Sequence, residues 1–304
     1  MRPTLTVSLP SFGEWAGGDW SRLITLGREA DEAGVHRVVV PDHVVIGPGV
    51  EDYPWGRFPR PFDAPWLEPL TVLTALAGAT ERVRLSTGIL VAPMRPAVTL
   101  AKTVATLDVL SRGRVDLGVG TGWLRSELEA AGRDFDRRGQ LLTDGIAACR
   151  ALWAGPGASV DLPTVAFSDL TCSPTPVQAR LPVLFSGTLH RRNVARIVEL
   201  GDGWIPIMGA TSEDVRTGAA TLRWAMAEAG RDPGDLMVRV PAPVVRTDAG
   251  AVDVEATMAA VPDLLKDGAT EVRADIRWAC PDLADTAAGF AHLVELFAGH
   301  AGTA

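Results

Sequence analysis

The chain of 304 residues has few of the features that would tie it to a membrane or to an oxidising compartment. Its three cysteines, Cys149, Cys172 and Cys280, are widely spaced and form no CxxC pair. We therefore expect reduced, buried thiols in a cytoplasmic protein. No run reaches the roughly 20 apolar residues that span a bilayer, and the apolar part of residues 1–10 is too short for a signal peptide.

A surplus of basic residues is also missing. The chain carries 29 lysine and arginine residues against 37 aspartate and glutamate residues, which gives a net charge of −8. This balance argues against a nucleic-acid partner or an anionic membrane surface. Hydrophobic residues make up 47% of the chain and charged residues 22%, which is typical of a globular protein with a large core.

The short motifs of several large enzyme classes are absent as well. The chain contains no GxSxG, no P-loop, no HExxH and no paired CxxC, which argues against the usual hydrolases, NTPases and zinc enzymes. His36, His190, His292 and His300 stand at no metal-ligand spacing from His43, so we expect no metal site.

What the sequence does have is a strand pattern followed by a helix pattern, repeated from end to end. The strands are predicted at residues 5–9, 38–40, 83–91, 115–119, 182–185, 204–208, 237–245 and 271–278. The helices are predicted at residues 19–33, 68–80, 97–111, 124–153 in pieces, 191–200, 212–229, 253–267 and 283–298.

Eight such units without a break in composition predict an α/β fold, a closed parallel (β/α)8 TIM barrel in which residues 1–304 form one domain. A small insertion, a hairpin or loop, is predicted at about residues 155–180, before the fifth strand. The alternative is a doubly wound sheet with a second domain that starts near residue 155.

In a parallel barrel the functional residues lie at the carboxyl ends of the strands. Asp42 and His43 follow the apolar second strand directly, and an imidazole at this place can move a proton near neutral pH. The alternative is a capping aspartate beside a structural histidine. Residues 186–193 follow the fifth strand in the same way, and the free amides and arginines there predict a phosphate cradle. An ordinary helix cap at Thr188 is the alternative.

Residues 118–123 nearly spell GxGxxG, but Trp123 stands at the last glycine position and no further Rossmann pattern follows. The dinucleotide fingerprint is therefore excluded. We interpret Gly118, Gly120 and Gly122 as places where a ligand presses on the backbone. Residues 46–66 predict a functional lid, and their aromatic residues indicate an apolar or aromatic substrate. These aromatic residues are Tyr53, Trp55, Phe58, Phe62 and Trp66.

Several stretches together resemble the luciferase-like flavin-dependent oxidoreductases, and most of all the branch that uses coenzyme F420, a deazaflavin. The stretches are residues 68–75, 80–88, 101–102, 107–111, 118–123, 175–178 and 200–204. The resemblance implies a TIM barrel with a small insertion, a homodimer, and a flavin or deazaflavin at the mouth of the barrel.

The resemblance also implies roles for single residues. His43 would be the catalytic proton donor or the base that orients the substrate. Gly88 and Ile89 would form a bulge, often with a non-prolyl cis peptide, that supports the face of the cofactor ring. Gly187 and Thr188 with the following turn would hold its phosphate. The residues implied to bind the cofactor are Asp42, Gly88, Ile89, Val91, Thr121, Gly122, Ser126, Gly187, Thr188, His190 and Arg191.

Three hypotheses about function follow. The first is an F420-dependent oxidoreductase that transfers a hydride between the deazaflavin and a small apolar or aromatic substrate, with His43 supplying or accepting the proton. The second is an FMN-dependent monooxygenase that uses O2 and reduced flavin from a separate reductase. The third is a non-catalytic barrel that binds the cofactor. Trp123 stands where sugar-phosphate dehydrogenases of the branch carry an acidic residue, so that substrate class is not expected.

Overall fold

The computed structural model describes residues 2–13, 18–54, 58 and 63–302 of the chain. Parallel strands alternate with helices and close into a barrel, because Leu85 and Ser86 pair with Val115 and Asp116 where an open sheet would have two edges. The (β/α)8 barrel is thus confirmed, and the doubly wound alternative is wrong. The barrel strands are β1 (Thr4–Ser8), β2 (Arg37–Val40), β3 (Arg84–Thr87) continued by β4 (Leu90–Val91), and β5 (Val115–Gly120). After the insertion come β8 (Val183–Ser186), β9 (Gly203–Ile205), β10 (Met237–Pro241) and β11 (Glu271–Asp275).

Helices surround the barrel, and an antiparallel hairpin forms the insertion. The hairpin strands are β6 (Ala158–Leu162) and β7 (Val165–Leu170). The first helices are α1 (Arg22–Ala33), α2 (Pro69–Ala79), α3 (Ala97–Leu110), α4 (Arg125–Ala130) and α5 (Arg138–Trp153). The others are α6 (Arg191–Leu200), α7 (Ser212–Glu228), α8 (Val254–Ala259), α9 (Val261–Lys266), α10 (Ile276–Ala279) and α11 (Thr286–Ala301). In the described part of the chain, no helix combines the length and the apolar character needed to cross a membrane.

Several elements are shorter than the sequence patterns predict. The third strand is interrupted at Gly88 and Ile89, which are joined by a cis peptide bond. The sixth strand ends at Ile205 because Pro206 has no N–H to donate, and Pro243 limits the seventh in the same way. The eighth strand ends at Asp275, whose carboxylate accepts a hydrogen bond from the backbone N–H of Arg277 and so begins α10.

Two predicted helices also differ from the observed ones. The helix predicted at residues 253–267 is broken into α8 and α9 next to Pro262, which lacks the N–H that a continuous helix requires. The last helix begins at Thr286 because Leu283 has a left-handed backbone and Asp285 caps the first turn.

The floor of the barrel interior is ionic rather than apolar. Arg37 bonds Asp116 and Glu271, and Arg239 bonds Glu271, with side chains that are at most 2% exposed. Arg84 completes the cluster by bonding Asp116. Although burial raises the pKa of Asp116, Arg37 and Arg84 outweigh burial and bring it to about 2. Apolar residues on the opposite faces of the strands pack beneath the helices and form the main core.

The three cysteines are free and buried, as predicted. Cys149 is fully enclosed, and burial raises the pKa of its thiol to about 12. A thiol in this environment stays protonated and unreactive, so Cys149 contributes to packing rather than to chemistry.

Candidate functional site

His43 is held at the barrel mouth by a buried acid, Glu127. Its Nδ1 atom lies 3.0 Å from Oε2 of Glu127, and the backbone N–H of Val44 donates to Oε1 at 2.6 Å. The Glu127 side chain is 1% exposed and that of His43 is 10% exposed. A carboxylate accepts hydrogen bonds, so Nδ1 of His43 donates to it and Nε2 is left for another partner. The pair therefore fixes both the ring orientation and the tautomer of His43.

Aromatic rings surround His43 on several sides. Its ring meets the rings of Trp66, Phe58 and Trp123 edge-on, at centroid distances of 4.6, 5.7 and 6.1 Å. Tyr53 contacts both Phe58 and Trp123. The described part of residues 46–66 thus lies over His43, where the lid is predicted, whereas Trp55 and Phe62 are outside the described residues.

Phe12, at the exit of β1, extends this aromatic cluster. It stacks on Trp66 at 4.3 Å between ring centroids, with the ring planes 8° apart. The backbone of the two residues forms an isolated antiparallel bridge, and Leu67 donates to the Ser11 carbonyl. The far end of the lid is therefore fastened to the loop that follows β1.

Asp42, the neighbour of His43, points into the protein. Its carboxylate is 0% exposed and accepts a hydrogen bond from the Val91 N–H at 2.8 Å. Arg95 donates to both of its oxygens, at 2.7 and 3.1 Å, and also to Glu68 at 2.8 Å. Each Asp42 oxygen thus has a protein partner, and the geometry gives Asp42 a supporting role: it holds the backbone of β4 in place.

The glycines of β5 and the following turn lie against the interrupted third strand. A Cβ on Gly118 would lie 2.2 Å from the Thr87 carbonyl oxygen, and a Cβ on Gly120 would lie 2.8 Å from Ile89. A Cβ on Gly122 would lie 2.6 Å from Val91, and Gly122 has a left-handed φ of 76°. The interrupted third strand therefore fills the side-chain positions of these glycines, which explains why side chains are missing there.

The predicted cofactor residues that follow β5 lie at the base of the lid. Ser126 donates its hydroxyl to the Pro48 carbonyl at 2.7 Å and so fastens the first part of residues 46–66. Thr121 is half-buried, and its hydroxyl makes only a long contact, of 3.4 Å, with the Gly122 carbonyl. Thr121 and Gly122 are each partly exposed next to Trp123.

Gly187, Thr188, His190 and Arg191 form the turn between β8 and α6. Gly187 has a φ of 125°, and its carbonyl accepts from Nε1 of Trp204 at 2.8 Å. His190 is the N-cap of α6, so Thr188 is not the cap. No acidic residue occupies the first turn, where two arginines stand instead. Cationic side chains are unfavourable at the positive end of a helix. An anion bound to the free amides would offset this unfavourable charge interaction.

The sequence could not identify Glu127 as a site residue. It is 84 positions from His43 in the chain, and a single acidic residue inside a helix carries no sign of its partner. Arg95 is likewise brought to Asp42 only by the fold. The predicted pair of Asp42 and His43 is split between two environments, one internal and one at the mouth.

Comparison with known proteins shows the family. The model of the luciferase-like monooxygenase family matches residues 5–291, and the chain belongs to this family. An uncharacterized protein of Mycobacterium tuberculosis is 35% identical over 214 residues, which are 67% of this chain and 73% of the relative. The FMNH(2)-dependent dimethylsulfone monooxygenase of Pseudomonas putida is 28% identical over 213 residues, 68% of this chain and 57% of that protein.

A solved structure supports the fold. An F420-dependent secondary alcohol dehydrogenase in complex with an F420–acetone adduct has a TM-score of 0.78 to this chain at 16% identity, covering 98% of this chain and 99% of the other. The predicted resemblance to the luciferase-like superfamily is confirmed, and the chain is an oxidoreductase of that superfamily. A non-catalytic barrel is not supported.

The residues at the mouth fit the flavin-type cofactor that this family implies. Ser11 Oγ and Trp66 Nε1 are buried and have no hydrogen-bond partner among the described residues. The Trp66 N–H can donate to a bound polar group, and the Ser11 hydroxyl can donate or accept. The aromatic rings around His43 suit a flat ring system. The first turn of α6, with its free amides and arginines, suits the phosphate that such a cofactor carries.

Proposed function

We propose that the protein is an F420-dependent oxidoreductase in which His43 exchanges a proton with a small apolar or aromatic substrate. The observation that carries this proposal is the buried Glu127 carboxylate, which engages Nδ1 of His43; among the described residues, Nε2 of the same ring has no hydrogen-bond partner. Proton exchange at an oriented imidazole is the usual work of a general acid or base.

The bound deazaflavin would supply or accept the hydride. His43 gives a proton to the substrate oxygen when the substrate is reduced and takes one when it is oxidised, so each hydride is matched by one proton. Glu127 holds the His43 ring through its Nδ1 atom and prevents the ring from turning. The aromatic cluster holds the substrate and excludes water from this end of the barrel.

The cofactor would be held by several of the predicted residues. Gly187, Thr188, His190 and Arg191 would bind its phosphate at the start of α6, whose first turn carries no acidic residue. Ile89 and Thr121 would contact the ring, and Asp42 would fix the backbone of Val91 beside it. We further propose a homodimer in the cytoplasm.

An FMN-dependent monooxygenase is the second candidate. The relative that favours it is the FMNH(2)-dependent dimethylsulfone monooxygenase, which is similar to more than half of this chain. In that case a reductase partner would deliver the reduced flavin, and O2 would be a second substrate.

Cofactor titration separates the two candidates. Purified protein is titrated with F420 and with FMN in separate experiments, and quenching of each cofactor's fluorescence gives the dissociation constant. We expect micromolar binding of F420 and much weaker binding of FMN. Micromolar FMN binding without F420 binding would overturn the deazaflavin proposal, and O2 consumption with reduced FMN would then identify the monooxygenase.

A further inference from the structure

Arg273 points into the barrel, above the ionic floor. It stands on β11 two residues after Glu271, and residues two apart on a strand point to the same face of the sheet. The carboxylate of Glu271 lies inside the barrel, where it bonds Arg37 and Arg239. Arg273 therefore lies one step nearer the mouth on the same inner face, and its side chain is partly exposed there.

The Arg273 guanidinium has attractive charges near it but makes no hydrogen bond or ion pair within residues 2–13, 18–54, 58 and 63–302. The carboxylates that attract it are Asp275 and Glu271, but burial outweighs them and lowers the pKa of Arg273. Asp275 already accepts from Nε and Nη2 of Arg277, at 2.9 and 2.6 Å. Both neighbouring acids are thus bonded to other arginines.

More guanidinium groups than carboxylates line this part of the barrel. The guanidinium groups belong to Arg37, Arg84, Arg239, Arg273 and Arg277, and the carboxylates to Asp116, Glu271 and Asp275. A partly buried cation without an ionic partner is costly, whereas an anion bound to it would offset the cost. The planar fork of arginine matches a carboxylate with two parallel hydrogen bonds.

Arg273 and His43 belong to the same sector of the barrel. The strands β2, β1 and β11 are neighbours in that order, and they lead to His43, Phe12 and Arg277 respectively. Phe12 stacks on Trp66, and the Arg277 guanidinium lies 5.4 Å from the Phe12 ring. His43 and Arg273 therefore belong to the same side of the barrel, and Phe12 follows the strand that lies between theirs.

We propose that Arg273 binds a carboxylate of the substrate, so that the substrates are aromatic or apolar compounds that carry a carboxylate group. The inference rests on the proposed function, because it assigns the substrate class of the same site. His43 acts on the reacting oxygen of such a compound, and Arg273 sets how far that oxygen lies from the carboxylate.

Calorimetric titration with benzoate and benzamide tests this assignment, because the two probes share a shape and differ in charge. Both are titrated into the wild type, Arg273→Gln and Arg273→Lys, with and without F420. We expect benzoate to bind the wild type about tenfold or more tightly than benzamide, since a charged hydrogen bond is worth that much. The ratio of the benzamide dissociation constant to the benzoate dissociation constant should approach one in Arg273→Gln and stay above one in Arg273→Lys.

The matched control is Arg216→Gln, which removes an exposed arginine on α7 and should leave the ratio unchanged. Equal affinity of the wild type for both probes, or no benzoate binding at millimolar concentration, overturns the proposal even if a variant does not fold. A benzoate preference that persists in Arg273→Gln also overturns it. Failure of F420 to bind the wild type counts against the proposed function alone, because benzoate is also measured without the cofactor.

Discussion

Nδ1 of His43 and Oε2 of Glu127 lie 3.0 Å apart and join two segments that are 84 positions apart in the chain. His43 follows β2, whereas Glu127 lies in α4, just after the glycine-rich turn. This turn therefore contributes to the site through the acid that follows it, while its glycines accommodate the interrupted third strand.

Removal of His43 should impair turnover far more than folding. We expect His43→Ala to lower kcat by about 100-fold or more, the scale of a general acid or base. Glu127→Gln should lower kcat less and leave the dissociation constant of the cofactor unchanged, since Glu127 acts through His43. Steady-state kinetics and cofactor titration measure both values. His292→Ala, at an exposed histidine, is the control, and an equal loss there would contradict the assignment.

Gly118→Ala should destabilise the barrel. Its Cβ would lie 2.2 Å from the Thr87 carbonyl oxygen, so backbone must move, at a cost of about 1–3 kcal/mol in the free energy of unfolding. Urea denaturation measures the change. Gly145→Ala, within α5, is the matched control, because a Cβ at that position meets nothing within 4 Å. This substitution should raise the free energy of unfolding by up to about 1 kcal/mol. Similar effects of the two substitutions would contradict the explanation of the glycines.

Asp42→Asn should weaken both the fold and the cofactor site. The substitution removes the buried negative charge that pairs with the Arg95 guanidinium and leaves Glu68 as its ionic partner, which costs about 3 kcal/mol in the free energy of unfolding. It also loosens the bond to the Val91 N–H, so the cofactor should bind less tightly. Denaturation and cofactor titration report these changes. Asp136→Asn, which breaks an exposed pair with Arg125, is the control and should alter neither the free energy of unfolding nor cofactor binding. Unchanged cofactor binding in Asp42→Asn would argue against the role of Asp42 in supporting the backbone of β4.

Stability should fall in acid because of Asp116. Its pKa is about 2 in the folded protein against an ordinary value of 3.8, so its contribution is fully present above pH 4 and is lost as the pH falls towards 2. The shift corresponds to about 2 kcal/mol. The free energy of unfolding, measured from pH 5 to pH 2, should fall less steeply in Asp116→Asn. Asp263→Asn, at an exposed acid, should keep the wild-type slope, and an unchanged slope in Asp116→Asn would disprove the explanation.

The sequence predicted the barrel because its information is local. Apolar runs such as residues 38–40 and the helical spacing of residues 19–33 reveal strands and helices without knowledge of the fold. Proline and capping residues, including Pro206 and Asp285, explain where the predicted ends were wrong. These corrections concern the ends of elements, and the order of the elements is unaffected.

The candidate site was less predictable because its partners are distant in the chain. Asp42 and His43 could be found from their place after β2, but their separate environments depend on Arg95 and Glu127. The orientation of Arg273 depends on the register of β11 against β1 and β10. No periodic pattern contains that information, since it arises only when the barrel closes.

The way the lid is fastened has a consequence for changing the enzyme. Residues 46–66 are tied to the barrel through the Ser126–Pro48 hydrogen bond and the Phe12–Trp66 pair, near their two ends. The close fit of β5 against the third strand tolerates little change, whereas the described contacts that fasten residues 46–66 lie near the two ends of the segment. Exchange of the segment between these two ties should therefore redirect substrate choice while the barrel and the His43–Glu127 pair stay intact.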